Sequence, residues 1–180
     1  MENRIEREKC ITLFAANEFK ENYLKDILSL EEKCFPEDWQ YEDAGQYYKE
    51  MLSDKENINI FLRDHGKTVG YVLARFHNKE TGELSEYDPE FKDQENVFYI
   101  ETIQILPEFQ GKGGAKKLLL AVCEEAGKRG INKFSIHARK INGFSESVKK
   151  IFADRIVAVR EIESWEPAEG EPYEYIEWEV

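Results

Sequence analysis

Residues 96–126 read NVFYIETIQILPEFQGKGGAKKLLLAVCEEA, and the reading of this stretch decides the fold. From Val97 to Leu106 apolar residues occupy both alternation classes, which suits a central strand covered on both faces. Pro107 ends that strand. A glycine loop follows, and then Ala115, Leu118, Leu119, Val122 and Ala126 recur at i, i+3, i+4 and i+7 spacing, the stripe of a helix that buries one side, with Gly130 as its stop. Lys133 to Arg139 reads as the next strand. Strand, glycine loop, helix, strand is a βαβ unit, so the two strands are expected to be parallel.

Working outward, ITLF at 11–14 reads as a short strand. Asn17 or Asn22 is placed to cap a helix carrying Tyr23, Leu24, Ile27, Leu28 and Leu30, which Pro36 breaks, and a second helix covers Tyr41 to Leu52. INIFLRDHGKTVGYVLARFH, from Ile58 to His77, has the form of a hairpin hinged on Asp64-His65-Gly66. Residues 78–95 are polar with Gly and Pro and are expected to form a long surface loop. Downstream, Phe144 to Ala153 reads as a helix, and the runs near Ile156 to Ile162 and Tyr173 to Val180 read as closing antiparallel strands. The expectation is a single α/β domain over 1–180.

Composition supports that class. In 180 residues, 41% hydrophobic content with 13% aromatics is enough to fill a core. No apolar run approaches the roughly 18 residues of a membrane span, and the first twenty residues mix both charges, so a soluble, cytoplasmic protein that does not engage membranes is expected. Cys10, Cys34 and Cys123 are an odd number without metal-ligand spacing, so they read as reduced packing residues and no metal site is expected. With 37 acidic residues against 25 basic ones the formal net charge is −12. Such a field repels nucleic acid and attracts cationic small molecules or basic peptides, although acidity also serves solubility alone. Residues 161–180, EIESWEPAEGEPYEYIEWEV, hold eight glutamates and no lysine or arginine. Tyr173, Tyr175 and Trp178 in that segment raise the expectation of a homodimer interface.

The chemistry sits in Gln110-Gly111-Lys112-Gly113-Gly114-Ala115. A helix start exposes unpaired N–H groups and the positive end of the macrodipole, and glycines let an anion approach without a Cβ in the way. Lys112, Lys116 and Lys117 add positive charge around this phosphate cradle. A nucleotide loop of the GxxxxGK[ST] type is absent, and a GxGxxG fingerprint fails because Lys116 stands where the third glycine should be.

The observed pattern, Gln-x-x-Gly-x-Ala, resembles the pyrophosphate-binding motif of the GNAT superfamily of N-acetyltransferases. YIETIQILPEFQGKGGAKKLL is similar to that family's strand, turn, loop and helix block, and the sequence-specific resemblance runs from Tyr99 to about Phe152. It implies a mixed sheet of six or seven strands, mostly antiparallel with a central parallel pair and flanked by helices. It also implies acetyl-CoA as co-substrate, with the backbone of Gly111 to Ala115 on the pyrophosphate, Gln110, Lys116 and Asn142 nearby, and main-chain groups at Ile103 and Ile105 on the pantetheine arm.

Transfer of acetyl to an amine needs a free lone pair, so an ammonium acceptor must lose a proton. Glu101, an acid in the middle of a buried strand, is the candidate base or amine anchor, with a structural ion pair as the alternative; by alternation it shares a face with Tyr99, Ile103 and Ile105. Where the family often carries a proton-donating tyrosine this chain has Phe152, so Tyr173, Tyr175 or Tyr99 remain as donors. That departure also keeps open a non-catalytic CoA-binding sensor or partner-binding module. His137 faces the expected cleft, as a base or substrate contact or as a neutral histidine bonded within the sheet, and Arg139 reads as an ion-pair partner of surface glutamates, with a coenzyme phosphate as the alternative. Phe35, Trp39, Tyr41 and Tyr47, with Glu37, Asp38, Glu42 and Asp43, fall where the family builds its acceptor wall, for a small cationic amine or a peptide amine.

Overall fold

The computed structural model describes residues 11–16, 18–35 and 43–180. Its strands are β1 (Ile11–Ala15), β2 (Ile58–Asp64), β3 (Lys67–Phe76), β4 (Val97–Ile105), β5 (Lys133–Arg139), β6 (Ile156–Trp165) and β7 (Glu171–Glu179). They form one sheet in the order β1-β2-β3-β4-β5-β7-β6. Among the described residues, only β4 and β5 pair in parallel. The helices are α1 (Glu21–Cys34), α2 (Ala44–Ser53), α3 (Thr81–Leu84), α4 (Gly114–Gly127) and α5 (Phe144–Ile151). The mixed sheet with a central parallel pair is therefore present.

Local chemistry explains the corners. The β2–β3 turn places His65 and Gly66 at φ 48° and 80°, so both central residues are left-handed, as a two-residue hairpin requires. Helix α4 closes at Gly130, φ 76°, where the Ile131 N–H bonds back to the Ala126 carbonyl. Lys20, rather than Asn22, stands at the N-cap of α1, and Asn17 lies outside the described residues.

Helix α4 packs on one face of β1–β4, its Gly114 against Ile105 and Leu62, while α5 covers the same face over β5 and β7. Helices α1 and α2 cover the opposite face over β3 and β4, where Tyr48 meets Tyr71 edge-on at 6.4 Å. Beyond α1 and α2 that second face is covered by residues 77–95, which corrects the expectation of a surface loop. This excursion contains α3 and buries His77, Glu80, Leu84, Asp88 and Phe91. Leu84 and Phe91 form a second apolar cluster with Tyr99, Trp165, Ala168 and Tyr175. The aromatic closing segment is corrected too. Tyr175 and Trp178 are core residues rather than an exposed patch, and the half-buried Tyr173 packs on Trp165 at 5.8 Å.

His77 shows what the excursion demands of a titratable group. Its ring stacks on Phe91 at 3.9 Å, and its Nε2 lies 3.1 Å from the Tyr175 hydroxyl. That hydroxyl donates to Glu177 at 2.6 Å, so it accepts from a neutral Nε2–H imidazole. Burial pushes the His77 pKa down from 6.5 to about 4. Because the folded value is depressed, the unfolded chain binds this proton first as pH falls. Stability from neutral His77 is whole above pH 6.5 and is lost down to about pH 4. Thermal melts across that window should fall more steeply for the wild type than for His77→Gln, which keeps a donor but does not titrate.

Candidate active site

Strand β4 carries a bulge. Thr102 lies opposite Leu73 and Ile100 opposite the adjacent Ala74, so Glu101 is the extra residue. The bulge reverses the alternation: Ile100, Ile103 and Ile105 share a face with Ala74, Val72 and Gly70, while Tyr99 and Gln104 share the other with Arg75 and Tyr71. The expectation that Glu101 shares one face with Tyr99, Ile103 and Ile105 is thus corrected, because simple alternation cannot anticipate an inserted residue.

At the same height the parallel ladder stops. Strands β4 and β5 pair from Val97↔Lys133 to Ile100↔Ile136, and no pair joins Glu101–Ile105 to His137–Arg139. The main-chain ladder between the two strands is therefore interrupted over those residues. Beyond the end of β4 is the glycine loop, with Gly111 and Gly113 at φ 70° and 78°, where a Cβ would be strained although nothing crowds it. Among the described residues, the N–H groups of Gly111 to Lys116 have no protein acceptor, and the first bond closing α4 runs from Lys117 to Gly113. Six donors at the positive end of a helix are a fit for a diphosphate.

Neighbouring side chains frame this loop. Gln110 donates through Nε2 to the Ile105 carbonyl at 2.9 Å and ties the loop to the end of β4. Lys112 bonds the Glu108 carbonyl at 2.6 Å and lies over the Phe109 ring, while Lys116 and Lys117 are exposed and Ala115 is half-buried. Asn142 Oδ1 accepts from the Phe144 N–H at 3.0 Å at the start of α5.

On the second face, Glu101 and Glu31 of α1 lie close enough to the phenols of Tyr48 and Tyr71 to be felt there. Burial pushes both phenols up, and the two carboxylates add to the shift. Phe35 ends α1 half-buried, Tyr47 packs edge-on to Tyr48 at 5.2 Å, and Asp43 caps α2 through its carbonyl. Trp39, Tyr41, Glu37, Asp38 and Glu42 lie outside the described residues.

His137, the first β5 residue beyond the paired ladder, is buried. Its Nδ1 lies 2.8 Å from the Tyr99 hydroxyl and its Nε2 3.1 Å from Asp88. Sequence reasoning considered Tyr99 and His137 separately but missed Asp88, whose segment was read as a solvated loop; the isolated apolar Leu84 and Phe91 were the signal that this segment buries. Tyr173 is half-buried beside Trp165, and burial pushes its pKa to about 12. Arg139 is gripped by both carboxylate oxygens of Glu171. Phe152 is buried and stacks on Trp178 at 4.5 Å as a core side chain.

The sequence profile of the acetyltransferase (GNAT) family matches residues 24–146, and the chain belongs to that family. It is thus an acetyl-CoA-dependent N-acetyltransferase by family. No curated protein matches it in sequence. Among solved structures it is similar to Arabidopsis thaliana NAA60 in complex with acetyl-CoA, at 16% identity and TM-score 0.69, covering 94% of this chain and 100% of that one. It is also similar to the ribosomal-protein-S18-alanine N-acetyltransferase of Escherichia coli, at 14% identity and TM-score 0.61 over 93% and 90% of the two chains. The aminoglycoside 6'-N-acetyltransferase AAC(6')-Ih of Acinetobacter baumannii follows at 18% identity and TM-score 0.57 over 78% and 87%. At such identities these likenesses establish the fold.

The loop geometry makes a prediction. Gly113→Val forces a β-branched residue into a left-handed position at the head of α4, which costs about 1–2 kcal/mol and tilts the amides. Calorimetric affinity for coenzyme A should fall roughly tenfold or more, about the factor 1.4 kcal/mol represents, with helix content retained.

Proposed function

We propose that the protein transfers acetyl from acetyl-CoA directly to a primary amine that arrives as a cation. The observation that carries this reading is the interruption of the β4–β5 ladder beside Glu101, together with the unsatisfied amides of Gly111 to Lys116. The amides of Gly111 to Ala115 would hold the diphosphate with Lys112 and Lys116 close by, and main-chain groups of Ile103 and Ile105 would line a slot for the pantetheine arm. Gln110 serves by fixing the loop to β4.

Glu101 projects from its bulge toward the cover of α1 and α2, the side from which Phe35 and Tyr47 would form an acceptor wall. It takes the proton of the ammonium, directly or through water, so that the amine can attack a carbonyl polarised by backbone donors near Ile103. The attacked nitrogen then holds a second proton, far more acidic than the first. The Tyr99 hydroxyl accepts it while passing its own proton to His137 Nδ1, so the count of protons closes. His137 is suited to this because burial holds its pKa low, with the Asp88 hydrogen bond pulling the other way, and it waits neutral. With Phe152 packed in the core, no proton donor is assigned to α5; coenzyme A leaves as a thiolate that takes its proton from the relay or from water.

A net charge of −12, with Glu31 and Glu101 near one another on the acceptor side, supports a cationic acceptor. Small polyamines, aminoglycosides, lysine side chains and peptide N-termini all meet that description. Thiol release from acetyl-CoA over a panel of these amines tests the reading. Glu101→Gln should lower kcat about 100-fold with coenzyme A affinity unchanged. Turnover equal to wild type in that variant would remove Glu101 from the mechanism.

A further inference from the structure

The hydrogen bond between Tyr99 and His137 joins a β4 residue still within the paired ladder to the first β5 residue beyond it. Its direction is set from elsewhere. Four donors converge on the Asp88 carboxylate: Arg160 Nη1 on Oδ1 at 2.7 Å, Arg160 Nη2 on Oδ2, the Glu90 N–H on Oδ1 at 3.1 Å, and His137 Nε2 on Oδ2 at 3.1 Å. Burial alone would raise the Asp88 carboxyl, but the hydrogen bonds from His137 and Arg160 outweigh it and hold the group well below the usual carboxylate range. An ionised carboxylate is acceptor only, so His137 must carry its proton on Nε2. That leaves the Nδ1 lone pair for the Tyr99 O–H. The ring is also fixed in plane, stacked on Trp165 at 4.3 Å and flanked by Phe91 and Tyr175.

We propose that Asp88, clamped by Arg160, is a positioning residue for acetyl transfer that holds His137 in the tautomer able to receive a proton from Tyr99. This rests on the transfer reading above and gives the 77–95 excursion a role in the chemistry as well as in covering the sheet. An anion that orders a neutral histidine in this way stabilises the imidazolium formed during proton transfer. Neither Asp88 nor Arg160 touches the reacting atoms; both act through His137.

Asp88→Asn is the informative variant because it keeps shape while removing one acceptor. The Glu90 N–H belongs to the backbone and, with Arg160 Nη1, claims the single amide oxygen at the Oδ1 position. The NH2 then faces both Arg160 Nη2, which can only turn away, and His137 Nε2, which becomes the acceptor as the proton moves to Nδ1 against the Tyr99 hydroxyl. Three measurements test this: ring 15N shifts of His137, kcat and KM for acetyl-CoA and amine, and coenzyme A affinity. Wild type should show protonated Nε2, and Asp88→Asn protonated Nδ1 with kcat down about 100-fold and both KM values near wild type. Leu84→Ala, which thins the apolar packing of the same excursion while keeping every side chain of the relay, should lower the melting temperature yet leave kcat within about twofold.

An unchanged tautomer in Asp88→Asn, or a kcat loss that Leu84→Ala reproduces, would overturn the proposal. If wild type turned over no amine on the panel, the transfer reading would fail, while the 15N shifts would still decide whether Asp88 sets the tautomer.

Discussion

The ladder between β4 and β5 runs for four residue pairs and then stops, and the rest of the molecule is arranged around that stop. A parallel pair buried by helices on both faces would ordinarily continue, since unpaired main-chain groups inside a protein are costly. Here the bulge at Glu101 turns β4 away, while β5 goes on to pair with β7 as far as Arg139↔Tyr173. Main-chain groups of β4 beyond Ile100 thereby have no ladder pair on β5, and Glu101 is the residue at which this begins. The same bulge accounts for why Glu101 can be acidic in the middle of a core strand.

Two supports hold the strands there. At the loop end, Gly114 and Gly70 let α4 and β3 approach Ile105 closely: a Cβ on Gly114 would stand 2.9 Å from Ile105 Cδ1, and one on Gly70 would stand 2.8 Å from the Gln104 carbonyl. At the other end, the side-chain line Arg160–Asp88–His137–Tyr99 ties β6, the excursion, β5 and β4 together with every group satisfied by a neighbour of opposite character. Fixed geometry at both ends matters because transfer between two bound molecules depends on their reacting atoms being held in register.

Much of this was legible in the residues. Periodicity from Val97 to Arg139 gave the βαβ unit, and the left-handed glycines of the loop follow from Gly111 and Gly113 standing before a helical stripe. His65-Gly66 gave the hairpin. What alternation could not give was the bulge, because a one-residue insertion leaves no mark in a strand whose two faces are both apolar. Residues 78–95 were misjudged for a related reason: a segment rich in charge was read as solvated, whereas two apolar anchors, Leu84 and Phe91, with Asp88 between them, are enough to bury its centre. Tyr175 and Trp178 looked like part of an exposed aromatic patch because the packing that buries them was invisible in one dimension.

Backbone amide resonances read the central claim most directly. Titrating 15N-labelled protein with coenzyme A should move the N–H signals of Gly111 to Lys116 downfield, and it should slow hydrogen exchange at Ile103 and Ile105. Saturable binding that left those six amides and the β4 edge unmoved, with shifts gathered elsewhere, would contradict the account.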